Sequence, residues 1–364
     1  MSETAHPLLP PTVPLLRSTT PSGDAAVQVG GVDTADGLFV GPDTGLTALL
    51  RGLDGRRAQR TVVAEAARAG HDPTAVTALL DGLRATGLLV DLDAADLLAA
   101  DAGPAAAART RAELPAAAGP GTVRPTVGSA WQARRAAVVV VEGATRVGVP
   151  LAALLAASGV GRVSVRDSGL VRAGDAVVGG IGAVDEGRPR ALAAADAVRR
   201  ASPLTDLRPL SDGQVADLVV LARPWASSDP LVAGYHRAGQ PHLVATVRGQ
   251  TGVVGPLVIP GRTGCLRCGD LHRRDADPGW PELAAQLTAA DAPPSGATVT
   301  CLLTAVTAAV QVLAYLDGGD APVTLDATVE LRPPDLLPRL RRWPPHPSCG
   351  CGGAERPASA REQC

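Results

Sequence analysis

Residues 136–141, Ala-Ala-Val-Val-Val-Val, form an unbroken apolar run that ends at Glu142 and Gly143. A strand with one wet face alternates polar and apolar residues, so a continuous run belongs to a strand covered on both sides. Such a strand needs helices above and below its sheet. The following sequence supplies the alternation. VGVPLAALLAASGVG reads as a helix, RVSVRD as a second strand, and RPRALAAADAVRRASP as a second helix stopped at Pro203. DLVVLARP and HLVATVRG read as a third and a fourth strand. A βαβαβ succession of this kind predicts an α/β fold built on a doubly wound parallel sheet.

The chain has 364 residues, about two domains' worth, and its formal net charge is -2. That balance gives no electrostatic reason to expect nucleic acid or an anionic membrane as partner. The sequence contains no Lys and no Asn, so all 34 residues of the Lys+Arg count are Arg. Mechanisms that need a P-loop lysine or a lysine Schiff base are excluded. No stretch reaches ~18 continuous apolar residues, which argues against a membrane span. The opening MSETAHPLLPPTVPLL carries an acid and a His where a signal peptide carries bases. The expected location is the cytoplasm, where the six Cys would be reduced and available to a metal.

The N-terminal part reads as a separate, smaller unit. Residues 1–25 are Pro- and Thr-rich and expected to be irregular. Within 26–92, AVQVGG and GLFVG predict a hairpin around Asp33–Asp36, followed by three amphipathic runs. In the last of these, Val76, Leu79, Leu80 and Leu83 share a face, Asp72 and Pro73 form the start, and Gly87 the stop. A hairpin with three helices, closing on a short strand at GLL, predicts a winged-helix-like α+β module. Residues 93–130 have linker composition, 131–353 form the α/β domain, and 354–364 a tail.

Two clusters carry chemistry. The first is Glu142-Gly143-Ala144-Thr145-Arg146-Val147-Gly148 at the end of the first strand. Gly143 allows the tight turn and Gly148 lets the helix approach the strand, which aims helix N–H groups at a phosphate. Asp167 ends the second strand, about where a ribose-binding carboxylate belongs. A generic βαβ turn with a capping Asp would read the same way. The second cluster is Cys265-Leu-Arg-Cys268 with Cys349-Gly-Cys351. Two tight thiol pairs suit tetrahedral zinc and would staple the C-terminus onto the fold, with the ion structural because four Cys close its shell. Two unrelated thiol pairs, or His346 in place of one Cys, are the alternatives. Cys301 opens a long apolar helix, where it serves either as a nucleophile or as a small core residue. His272 reads as solvated surface and Cys364 as incidental.

Taken together, the Gly turn, the segments DEGRPRA, DLVVLA and GPLVIPGRTGCLRC, and the distal Cys pair resemble the ThiF/MoeB/ubiquitin-activating superfamily over about 131–353. The resemblance implies a Rossmann-like domain that uses Mg-ATP to adenylate the C-terminal carboxylate of a small protein or peptide. It assigns Gly143, Gly148 and Asp167 to the nucleotide, with Arg190 in the place of the family's Lys and Arg188 beside it. It also shows departures. Asp175 stands where the family has Asn, and Val178 where it has a phosphate-binding Arg. The magnesium-binding Asp falls near Arg223 and Pro224, and Asp217 lies at the wrong end of its strand. Residues 26–92 resemble PqqD-like modules that hold leader peptides, as in the partner proteins of azole-forming cyclodehydratases. The combined expectation is a ThiF-like protein with a degenerate adenylation site that presents a leader peptide to a modification enzyme. An active adenylyltransferase is the alternative, and a nicotinamide or flavin oxidoreductase leaves the Cys pairs unexplained. The family also forms homodimers, for which the helix from Cys301 could serve as core or interface.

Overall fold

A computed structural model describes residues 5–10, 13–19, 23, 25–31, 38–40, 44–86, 88–92 and 113, then 127–353 except 204, 212, 226, 228, 288–295 and 320. The chain divides into two units, 1–133 and 134–364.

The first unit is built on three antiparallel strands, β2 (Leu15–Thr19), β3 (Ala25–Val29) and β4 (Leu38–Val40), in that order. The predicted hairpin is β3 with β4, in the register Val27 to Val40. Its turn at Asp33–Asp36 lies outside the described residues, as do Gly87, 93–112, 114–126 and the tail. Three helices follow, α1 (Thr44–Arg51), α2 (Gln59–Arg68) and α3 (Pro73–Ala85). The α3 stripe Val76, Leu80 and Leu83 packs with Val29, Val40, Leu50, Leu53 and Val62. Asp72 caps α3 by accepting from Thr74 N at 3.1 Å. Two features depart from the sequence reading. Part of the stretch expected to be irregular is β1 (His6–Leu8) and β2. The closing strand β5 (Val90–Leu92) pairs with β1, not with the hairpin, and Leu8, Val90 and Leu92 enclose Trp131.

The second unit begins within α4 (Val127–Ala136) and holds a seven-stranded sheet in the order β12-β11-β10-β9-β8-β6-β7. Four strands are parallel: β6 (Val138–Glu142), β7 (Arg162–Arg166), β8 (Leu218–Leu221) and β9 (His242–Arg248). The expected all-parallel sheet is corrected at β9. There the two residues Gly249 and Gln250 are too few for a helical return, so β10 (Thr251–Val258) folds back antiparallel. β11 (Ala327–Leu331) and β12 (Pro338–Arg342) continue antiparallel to the edge. On one face lie α5 (Gly148–Ala157) and α10 (Thr298–Asp317), packed on Val139, Val141, Val220, Leu243 and Ala245. α6 (Arg190–Ala201) packs beside α5 through Ala193, Ala194 and Ala197. The other face carries α7 (Pro230–Arg237), over Val140, Val219, Leu221 and Val244. α8 (Leu266–Ala276) and α9 (Trp280–Leu287) follow β10.

α10 is long and apolar enough to cross a membrane by length and composition, with a mean hydropathy of 1.9, although threonines and Gln311 keep it short of 18 continuous apolar residues. Its buried face, Cys301, Ala305, Ala308 and Val312, belongs to the sheet's core. Arg134, 2 % exposed, grips Asp317 in the last turn of α10 through two nitrogen–oxygen contacts of 2.6 Å.

Candidate functional site

Cys265 is the N-cap of α8 and Cys268 lies in its first turn. Cys349 and Cys351 arrive from the loop after β12, at positions where Cys349 N donates to His346 O at 2.9 Å. The four sulfurs lie within 4.8 Å of one another. Cys265 Sγ is 3.9 Å from Cys268 Sγ and 3.7 Å from Cys349 Sγ, and Cys268 Sγ is 3.5 Å from Cys351 Sγ. Sulfurs around tetrahedral zinc, each about 2.3 Å from the metal, stand about 3.8 Å apart. The spacing and the all-sulfur donor set therefore fit the ion. Without a cation the sulfurs compete for protons. The Cys265 S–H donates to Cys268 and holds its thiol at about 4, and the same contact drives Cys265 far up. Burial and neighbouring sulfur push Cys349 to about 11. A divalent cation relieves the mutual repulsion of four thiolates.

His346 stands outside the sulfur set. Its Nε2 meets Asp275 Oδ2 at 2.8 Å and its Nδ1 accepts from Ser348 N at 3.1 Å. His272 is not solvated surface. It bonds Pro344 O at 2.9 Å and packs on His346 with ring centres 4.7 Å apart. Cys301 is 1 % exposed in the main core, and burial raises its thiol, which opposes a nucleophilic role.

The strand-to-helix corner has the predicted backbone. Gly143 has φ of +114°. A Cβ on Gly148 would lie 2.2 Å from Gly143 O and 2.8 Å from Ala222 Cβ. Thr145, Asp167, Arg188 and Arg190 at this corner are engaged within the protein, whereas the buried Nε of Arg146 has no hydrogen-bond partner among the described residues. Thr145 Oγ1 donates to Ala222 O at 2.7 Å and accepts from Gly148 N at 3.0 Å and Val147 N at 3.3 Å. Asp167 accepts from Ala144 N at 2.9 Å and Gly169 N at 2.8 Å. Arg190 is 2.8 Å from buried Asp175 and 3.9 Å from Asp167. Arg188 pairs with Asp185 and, at 2.7 Å, with Asp196. Both arginines thus sit against carboxylates. Arg223 stacks on Trp225, 4.1 Å from the ring centre. Asp217 accepts from Val138 N at the opposite end of the sheet, at 2.7 Å.

Sequence reasoning marks Thr145 as standing in the fingerprint's middle Gly position, but misses its capping role and misses Arg146. Arg146 reaches Gly296 O at 2.8 Å and Thr298 Oγ1 at 2.6 Å, tying the corner to the start of α10. For Arg146, which falls at an unconstrained position of the fingerprint, the sequence offers no local signal.

The profile of the ThiF family matches residues 125–351. The chain belongs to the ThiF family. No curated protein sequence matches it. Solved structures of similar fold include the microcin C7 biosynthetic enzyme MccB in complex with N-formylated MccA. That match has 14 % identity and a TM-score of 0.62, covering 95 % of this chain and 99 % of MccB. E. coli MccB with ATP matches at 15 % identity and TM-score 0.61, over 95 % and 99 % of the two chains. PaaA matches at 15 % identity and TM-score 0.54, over 90 % and 98 %. At such identities the likeness is one of fold. For this ThiF-family chain it extends over the N-terminal unit as well as the sheet.

Proposed function

We propose that this ThiF-family protein binds a peptide and presents it to a modification enzyme in the cytoplasm, without adenylating it. The observation that carries this reading is the self-filled corner. Thr145 takes the helix amides that would hold a phosphate, and Asp175 neutralises the cation at the family's Lys position. A stacked Arg223 lies near the place of a magnesium-binding carboxylate and has the wrong charge for a cation. In this reading Gly143, Gly148 and Asp167 keep an ancestral nucleotide geometry without its chemistry.

The peptide would be held by the first unit in the manner of a PqqD-like module. An extended leader would add to an edge of the three-stranded sheet, β2 or β4, through backbone hydrogen bonds. Zinc at Cys265, Cys268, Cys349 and Cys351 would cross-link the end of the domain and take no part in a reaction. A homodimer could use the outer face of α10, where Val299, Val306 and Val310 are exposed.

A second reading, an ATP-dependent adenylyltransferase acting on a peptide carboxylate, draws on family membership and on the ATP complex of MccB. Calorimetry with Mg-ATP and ATP–pyrophosphate exchange in the presence of peptides separates the two. The presentation reading predicts no heat and no exchange, together with saturable binding of a leader peptide by the full chain. Nucleotide binding with exchange would establish the second reading instead.

A further inference from the structure

Side chains alternate across a strand, so β9 sends Leu243, Ala245 and Val247 to the α5 face and Val244 to the opposite one. On that opposite face, bordering the corner at Trp225, whose ring carries Arg223, a cavity is lined by Trp225, Arg248, Asp270, Arg273 and Trp343. It comes from four separate stretches of chain and has about 20 Å³ of room, enough for about one oxygen atom.

Three independent features of this cavity ask for an anion. Trp225 is 5 % exposed, and among the described residues its Nε1–H has no hydrogen-bond partner. The Arg248 side chain is partly buried and makes no direct hydrogen bond or ion pair among the described residues, although Asp270 and Glu330 act on its charge from further off. The local charge is in excess on the positive side. Arg273 and Arg341 both stack on Trp343, at 4.1 and 4.2 Å. The nearby carboxylates are already engaged. Asp270 takes Trp280 Nε1 at 3.0 Å and Arg273 at 3.4 Å, while Glu330 pairs with Arg332 and lies 3.9 Å from Arg341. Burial, and then the charge of Arg248, bring Arg273 down to about 10.

We propose that this cavity binds a carboxylate, one oxygen of which accepts from Trp225 Nε1–H and the Arg248 guanidinium. A planar carboxylate matches a guanidinium fork, and one leading oxygen fits the room available. The proposal stands apart from the peptide-presentation reading. Either a peptide C-terminus or an acidic side chain could supply the group.

The test uses the full chain, with tryptophan fluorescence and calorimetry against acetate, inorganic phosphate and chloride at matched ionic strength. Saturable acetate binding is expected, weakened at least tenfold in Arg248→Gln and in Trp225→Phe. Comparing acetyl-Gly-Gly as free acid with acetyl-Glu-amide then identifies the source, the tighter ligand marking it. Phosphate binding tighter than acetate, no saturable acetate binding, or full acetate affinity in both variants would overturn the proposal. Should Arg248→Gln fail to fold, Trp225→Phe alone decides.

Discussion

Removal of the metal from the four-thiol cluster should loosen the second unit by an amount that can be worked out. The sulfur separations of 3.5, 3.7 and 3.9 Å bracket the ~3.8 Å of a zinc tetrathiolate, so the site closes on the ion with movements of a few tenths of an ångström. An ion present at 1,000 times its Kd stabilises the folded state by about 4 kcal/mol. In a domain of roughly 150–250 residues, each kcal/mol moves Tm by about 2–4 °C. Chelation should therefore lower Tm by about 8–16 °C. Thermal melting followed by circular dichroism, on protein of known zinc content with and without chelator, measures this. Cys349→Ser should melt lower by a similar amount and no longer respond to chelator. Purified protein that carries no zinc yet melts unchanged, or a chelator-sensitive Cys349→Ser, would refute the reasoning.

Asp317→Ala leaves the Arg134 guanidinium buried without its partner and should lower stability by about 3–5 kcal/mol in urea unfolding, whereas Arg134→Met with Asp317→Leu should restore most of it. His242 is 1 % exposed and burial lowers its pKa to about 4, below the unfolded value of 6.5. Its neutral form is the folded one, so its contribution, about 3 kcal/mol, is complete above pH 6.5 and is lost as pH falls towards 4; His242→Leu should flatten that part of the stability–pH curve. Gly148→Ala drives a Cβ to 2.2 Å from Gly143 O and should destabilise by about 1–3 kcal/mol, read from the urea midpoint. Thr145→Gly with Asp175→Asn frees two helix amides and the Arg190 charge, so Mg-ATP binding should become detectable by calorimetry; a double variant still silent would show that other groups close the corner.

The doubly wound core was legible because residues 136–141 contain no polar interruption and helices follow at the right spacing. The same applies to α3, where Asp72 and Pro73 announce the start, and to the thiol pairs, whose chemistry is local. The antiparallel half was harder. β12, Pro-Arg-Leu-Arg-Arg, is exposed along its whole length, so it carries no alternation to detect. β1 pairs across 80-odd residues of sequence with β5, and such long-range partnership leaves no mark in the composition of either. At the candidate site, the glycines and Asp167 follow local rules, whereas the Thr145 cap depends on a carbonyl at Ala222. The Trp225–Arg248–Arg273 cavity exists only once residues from four stretches meet.

The distance along the chain between Cys268 and Cys351 has a consequence for biosynthesis. Half of the ligand set leaves the ribosome long before the other half, and α8 must wait with two bare thiols while α9, α10, β11 and β12 are made. A chain cut short upstream of Cys349 would hold only Cys265 and Cys268 of the four thiols. The four-thiol cluster thus closes only when the last described residues join it.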